Sequence, residues 1–186
     1  MSTKITVDFL VIGSGSAGVC AALYAASQGK AVMLCEKAAK IGGTTALSNA
    51  MIWVPCSDHA VQAGIDDSLE NARTYLRNEL GNYYDDAKIN TYLERGPEAV
   101  RAIEENSEIK FVLAGAPDYH SSQEGGVDKG RALSPVPYDG RKLGKEFNLI
   151  GDPIRVVLGG MMIASSEIKH FLNPFKSTTA MTHVLR

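Results

Sequence analysis

Residues 5–12 are apolar almost without a break, the pattern of a strand covered on both faces of a parallel sheet. Residues 16–29 are small, mostly apolar and end at Gly29, which predicts a helix closed by a left-handed glycine. A second strand is predicted over 31–36. Periodicity is then lost through a Gly/Thr/Ser-rich loop from Ala38 to Pro55, which contains the apolar run Met51–Val54. Asp66, Asp67 and Ser68 supply acidic and capping residues for a helix to about Leu80, with Leu69, Ala72 and Leu76 on one face. Asp85-Asp86 opens a further helix. Its apolar stripe is Ile89, Leu93, Val100 and Ile103, and Gly96-Pro97 marks a kink. Ile109 to Leu113 reads as a third short strand. Gly115 to Gly151 is dense in Gly, Pro, Ser, Asp and Tyr, and so long a loop in a compact chain points to function. Beyond it the pattern predicts apolar runs at Arg155–Leu158 and Met161–Ile163, then a helix capped near Ser165 that includes Ile168, Phe171 and Leu172.

The first two strands and their helix enclose Gly13-Ser14-Gly15-Ser16-Ala17-Gly18. In a strand–turn–helix setting each glycine has its own task. Gly13 permits the tight turn, Gly15 lets backbone approach a pyrophosphate, and Gly18 lets helix and strand pack closely. The helix beginning near Ser16 or Ala17 turns its free N–H groups and positive dipole end toward that pyrophosphate. Glu36, at the end of the second strand, is spaced to hydrogen-bond ribose hydroxyls. The expected fold is therefore α/β, a Rossmann-like βαβ unit with a parallel sheet.

A second glycine cluster follows at once: Glu36, Lys37, then Gly42-Gly43-Thr44-Thr45 and Ser48. A nicotinamide enzyme has no general need for it. FAD is longer and runs on from its pyrophosphate toward the flavin, so Gly43 can offer close backbone and Thr44, Thr45 and Ser48 hydroxyl and N–H donors. An ordinary surface turn with capping threonines is the alternative, and the preceding fingerprint argues against it.

Composition narrows the field further. The chain has 186 residues, 45% hydrophobic and 22% charged, with a formal net charge of -2, so it offers no basic surface for nucleic acid. No segment has the roughly 20 apolar residues of a membrane span. Asp8, the single Lys4 and three glycines argue against a signal peptide. Cys20, Cys35 and Cys56 form no C-x-x-C pair; the first two are expected to be buried and all three reduced, which suits the cytoplasm. His59, His120, His170 and His183 lack metal-ligand spacing, so no metal is expected. Arg131 and Arg141 are expected to fix loops or meet phosphate. Met51–Val54 can either line a flat apolar ligand or serve as core.

The segments VIGSGSAG, EKAAKIGGTTALS and MIWVP together resemble the FAD-dependent fumarate reductase/succinate dehydrogenase flavoprotein superfamily. Pro117-Asp-Tyr-His120, Gly130-Arg131, Tyr138-Asp-Gly-Arg141 and Leu158–Ile163 are similar to the 3-ketosteroid 1-dehydrogenases within it. The resemblance implies an FAD domain interrupted by a catalytic domain. On that pattern residues 1–151 are the N-terminal part of the FAD-binding domain and 152–186 begin the inserted catalytic domain. It further implies FAD as cofactor, a steroid as small-molecule substrate and an external electron acceptor. A hydride passes to flavin N5 while tyrosines remove a neighbouring proton, and Tyr119 occupies the family's supporting tyrosine position. Ser48-Asn49-Ala50 departs from the family's Ser-Gly-Gly, and Tyr138 stands where phenylalanine is common. Two alternatives stay open: a fumarate-reductase-like enzyme for a small dicarboxylate, and a non-catalytic FAD-binding fragment. With only three strand candidates, the sheet is expected to be incomplete, the chain part of a longer protein, and the isolated chain without turnover.

Overall fold

The computed structural model describes residues 4–152 together with 170, 172, 173, 175–178 and 181. The elements expected over Arg155–Leu158 and Met161–Ile163, and the helix start near Ser165, lie outside the described residues. The chain divides into two compact units, Met1–Gly151 and Asp152–Arg186. In the second, His170, Leu172, Thr178 and Met181 are helical. The first carries both sheets and the glycine-rich segments.

Strand β1 (Phe9–Ile12) pairs in parallel with β2 (Val32–Cys35), Phe9 opposite Val32 and Ile12 opposite Cys35. Helix α1 (Ser16–Ser27) crosses between them and packs on both. The Asp8 carboxylate accepts the Ala31 N–H at 2.8 Å and closes the start of the ladder. Gly29 holds φ +73°, the left-handed stop that its position after the helix demands. The parallel sheet is narrower than the apolar run suggests. Among the described residues it has two strands, so Phe9, Leu10 and Ile12 are 50%, 58% and 82% exposed rather than covered on both faces. Cys20 and Cys35 are exposed for the same reason, contrary to expectation.

Helix α2 (Gly43–Leu47) forms inside the stretch expected to be loop. Beyond it the chain builds a second, antiparallel sheet in the order β3–β5–β4, from β3 (Ile52–Trp53), β4 (Phe111–Leu113) and β5 (Ala132–Pro135). The third predicted strand is thus real but does not extend the parallel sheet. β5, inside the expected loop, is its central partner, pairing with Ile52–Trp53 on one side and Phe111–Leu113 on the other. Three helices pack around this sheet: α3 (Asp58–Gln62), which the sequence pattern does not reveal, α4 (Leu69–Leu80) and α5 (Asp86–Asn106). Ser57, Ser68 and Asp85 cap them through side-chain oxygens that accept the N–H groups of Ala60, Asn71 and Lys88. α5 runs through Pro97 and packs on both α4 and α1. Val54, Val100, Phe111 and Leu133 form the apolar core, with Ile52, Ile103 and Leu113 against it.

Beside that core lies a buried ion cluster. Arg131, 1% exposed, donates to both oxygens of Asp67 at 2.7 Å and to Asp118 Oδ2 at 2.8 Å. Asp118 Oδ1 also accepts the Trp53 indole N–H at 2.7 Å. The guanidinium stands over the rings of Trp53 and Tyr75 at 5.5 and 5.7 Å. Burial pushes the Asp67 carboxyl up, but the hydrogen bonds and charge of Arg131 outweigh it and leave it below the ordinary range. Trp53 stacks on Tyr92 with centroids 6.4 Å apart, and Val54 and Pro55 are buried, so most of the Met51–Pro55 run is core.

Arg131→Leu should strand two buried carboxylates and lower stability by about 3–5 kcal/mol in urea unfolding. A loss below about 1 kcal/mol would show that the cluster is not the hub of this half.

Candidate functional site

The turn between β1 and α1 carries out two of the tasks its glycines suggest. Gly13 holds φ +97° and donates its N–H to Cys35 C=O at 2.7 Å, tying the turn to the end of β2. A Cβ on Gly18 would lie 1.9 Å from the Gly13 carbonyl oxygen, so only glycine lets the helix sit on the turn. Gly15 differs. Its backbone is extended, and a Cβ there would meet nothing within 4 Å, so the surrounding protein gives no reason for the missing side chain. An incoming ligand does give one.

The second glycine segment folds against this turn. Gly42 holds φ +108°, and a Cβ on Gly43 would stand 3.4 Å from Gly15 Cα. Thr45 Oγ1 accepts the Ser16 N–H at 3.1 Å, so one orphan donor of α1 is already satisfied from α2. Between the two segments lies an open cleft of about 380 Å³, floored by Gly13, Gly15, Ala17 and Gly18 and bordered by Ile12, Thr44 and Thr45. The loop is braced from behind as well: Ile41 N–H donates to Leu149 C=O at 2.7 Å and Gly151 N–H to Ile41 C=O at 2.8 Å. Ser48 does not border the cleft; its hydroxyl closes α2 by donating to Thr45 C=O and accepting the Ala50 N–H, each at 3.0 Å. Ala50 has φ +53°, a left-handed conformation that favours glycine. Lys37 is exposed and also outside the cleft.

Glu36 follows β2 directly and, like Lys37 and Ser48, is not among the residues bordering the cleft. Its Oε2 accepts the Ser14 N–H at 2.9 Å and the Ser14 hydroxyl at 2.5 Å, and Oε1 accepts the Ala38 N–H at 2.9 Å. The Ala38 N–H first, then the Ser14 hydroxyl and N–H, draw its carboxyl from the usual 4.5 to about 2. It is therefore a fixed anion and an acceptor only. Backbone N–H donors over a floor of glycines and one alanine, with an ionised acceptor just after β2, fit a nucleoside diphosphate. Ser14 itself, 2% exposed, escapes sequence reasoning, since the variable positions of a glycine fingerprint carry no signal of their own.

Tyr119 lies apart from the cleft, in the connection between β4 and β5, with 98% of its surface exposed. Its neighbours are anchored on both sides. Asp118 is held by Arg131 and Trp53, and His120 Nδ1 lies 2.5 Å from Glu79 Oε1. The loop thus presents one free aromatic ring between two tethered residues. Asp67, expected as an acidic helix-start residue, turns inward to Arg131 while Ser68 caps α4. Among the described residues no group of three His, Cys, Asp or Glu could hold a metal ion.

Residues 8–164 match the family described as the FAD binding domain. The chain is 36% identical over 161 residues to a 3-oxosteroid 1-dehydrogenase of Mycolicibacterium smegmatis, covering 86% of this chain and 28% of that protein. It is also 36% identical over 186 residues to a 4-oxocyclohex-2-ene-1-carboxylate 5-dehydrogenase of Sinomonas cyclohexanicum, covering 98% of this chain and 31% of the relative. Among solved structures, the 3-ketosteroid delta1-dehydrogenase from Sterolibacterium denitrificans, in complex with 1,4-androstadiene-3,17-dione, superposes with a TM-score of 0.79 at 27% identity. That match covers 97% of this chain and 32% of that one. The chain therefore spans less than a third of the length of each of these proteins.

The two glycines should separate cleanly on substitution. Gly15→Ala should keep thermal stability within about 0.5 kcal/mol yet weaken dinucleotide binding at least about tenfold, whereas Gly18→Ala should cost about 1–3 kcal/mol or more. Equal effects on folding would contradict the assignment. Because Glu36 titrates lower in the folded chain, its contribution to stability is complete above about pH 4.5 and is lost as pH falls toward 2. Glu36→Gln should flatten acid unfolding in that window; an unchanged profile would mean the bonds from Ser14 and Ala38 do not form in solution.

Proposed function

The chain belongs to the FAD binding domain family, whose cofactor is FAD, and on that footing we propose that its residues hold FAD in a dehydrogenase acting on a 3-oxosteroid ring. The observation that carries the cofactor half of this reading is the single cleft shared by the Gly13–Gly18 turn and Thr44-Thr45, with Glu36 ionised at the end of β2. Gly15, Ala17 and Gly18 receive the pyrophosphate on backbone N–H groups, Gly13 and Ser16, whose own N–H groups are held by Cys35 and Thr45, shape the turn around it, and Glu36 accepts from ribose hydroxyls. Gly43, Thr44 and Thr45 continue the track toward the flavin, while Lys37 and Ser48 flank it. When bound, the flavin supplies an acceptor for hydride.

The steroid half is supported by the names of the similar enzymes and by the 3-ketosteroid delta1-dehydrogenase structure. A ring carbonyl acidifies the hydrogens beside it, so desaturation there needs one proton and one hydride removed from adjacent carbons. Tyr119 has a hydroxyl able to donate and accept, on a loop fixed from beneath by Asp118, and its part is to hold the proton-removing group in place. Residues 152–186 begin the catalytic domain in this proposal, an external acceptor reoxidises the flavin, and the protein works in the cytoplasm. No helix among the described residues is long and apolar enough to cross a membrane. A second reading, a smaller oxo-substituted ring acid as substrate, is favoured by the Sinomonas relative, whose match runs over 98% of this chain.

Titration of the purified protein with FAD should give a structured, shifted flavin absorption band. A 3-oxosteroid should then perturb that band, and 4-oxocyclohexanecarboxylate should leave it unchanged. Tyr119→Phe should retain the FAD spectrum and lose most of the steroid response. A spectrum identical to free FAD at saturating protein would overturn the cofactor assignment, and a response to the ring acid alone would transfer the substrate to the second reading.

A further inference from the structure

Ser14 has a chemistry that its place in the fingerprint does not require. Its side chain is buried at the junction of the turn, β2 and the second glycine loop. The hydroxyl donates to Glu36 Oε2 at 2.5 Å and accepts the Gly42 N–H at 2.9 Å. The direction of both bonds is forced. An ionised carboxylate only accepts and a backbone N–H only donates, so the single hydroxyl proton must point to Glu36. The Ser14 N–H binds the same carboxylate oxygen at 2.9 Å. Oε2 is therefore held from two directions, and rotation of the Glu36 carboxylate is stopped. Through Gly42, the same hydroxyl fixes the start of the loop whose Gly43 and Thr45 meet Gly15 and Ser16.

We propose that Ser14 is a positioning residue for cofactor recognition: its buried hydroxyl bridges Glu36 to the Gly42 amide and presets the carboxylate for the adenosine ribose. The inference rests on the FAD reading above and deepens it by assigning ribose selectivity to a residue that need not touch the ligand. Removing the hydroxyl orphans the Gly42 N–H and loosens the carboxylate, which keeps only the bonds from the residue-14 and Ala38 N–H groups. The binding penalty then falls on ligands that use the ribose hydroxyls and spares those that lack one.

The test compares ADP with 2′-deoxy-ADP on the full chain and on Ser14→Ala by calorimetry. The wild-type chain should prefer ADP. In Ser14→Ala, ADP affinity should fall about tenfold while 2′-deoxy-ADP changes little, so the preference collapses toward one. Glu36→Gln should reproduce that collapse, and the double variant should be no worse than Glu36→Gln alone, because the two act through one contact. A Ser14→Ala variant that keeps the wild-type preference, whether its affinities are unchanged or fall equally for both ligands, overturns the proposal. Should Ser14→Ala lose its folded circular dichroism, Ser14→Cys, close in volume but a weak donor, is judged by the same ratio. Failure of the wild-type chain to bind either FAD or ADP would sink the FAD reading itself, a result distinct from an unaltered ratio.

Discussion

Among the glycines of the cofactor half, Gly18 has the least room: a Cβ there would come within 1.9 Å of the Gly13 carbonyl oxygen. Much of the site geometry depends on it. Because α1 sits directly on the turn that precedes it, its N-terminus opens at the end of β1 and beside the end of β2. That brings Glu36, the residue directly after β2, within reach of Ser14. It also lets the second glycine segment come close to Gly15 and hand Thr45 to the first amide of α1. The packing of one glycine thus leaves room for a cleft between the turn and the second glycine segment, with Glu36 held by Ser14 at the end of the neighbouring strand.

The second organising interaction is electrostatic. Arg131 sits between two carboxylates and two aromatic rings, with almost no exposure to water. Such a group is tolerable only when every charge is matched, and here the match joins β5, the start of α4 and the loop before Tyr119. The antiparallel sheet consequently has a polar anchor as well as the Val54–Leu133 apolar core. α5 packs on α1, so the half that carries Tyr119 and the half that carries the glycine turn belong to one unit.

The cofactor half is largely legible in the sequence because its constraints are local. Glycine spacing, apolar runs and an acidic residue at a set distance all act within about thirty residues of chain. The second sheet is not legible. β5 is four residues inside a stretch rich in Gly, Pro and Ser, and it is a strand only because Ile52–Trp53 and Phe111–Leu113 flank it from far along the chain. α3 is five residues, too short for periodicity to show. Asp67 looks like one of several acidic residues at a helix start, and only a partner 64 positions away turns it into a core residue. Cys20 and Cys35 mislead for the opposite reason. Local pattern implies a covered sheet, and among the described residues the parallel sheet has only two strands.

In the proposed site, the cleft made by the Gly13–Gly18 turn and Thr44-Thr45 receives the diphosphate of the cofactor, with its ribose directed to Glu36. Backbone amide shifts of the isotope-labelled chain, recorded during titration with ADP, test it most directly. The largest changes should fall at Gly15, Ala17, Gly18, Glu36 and Thr44, with β3, β5 and the Arg131 cluster nearly still. Changes concentrated in the antiparallel sheet or at the acidic start of α4, with a silent glycine turn, would contradict it.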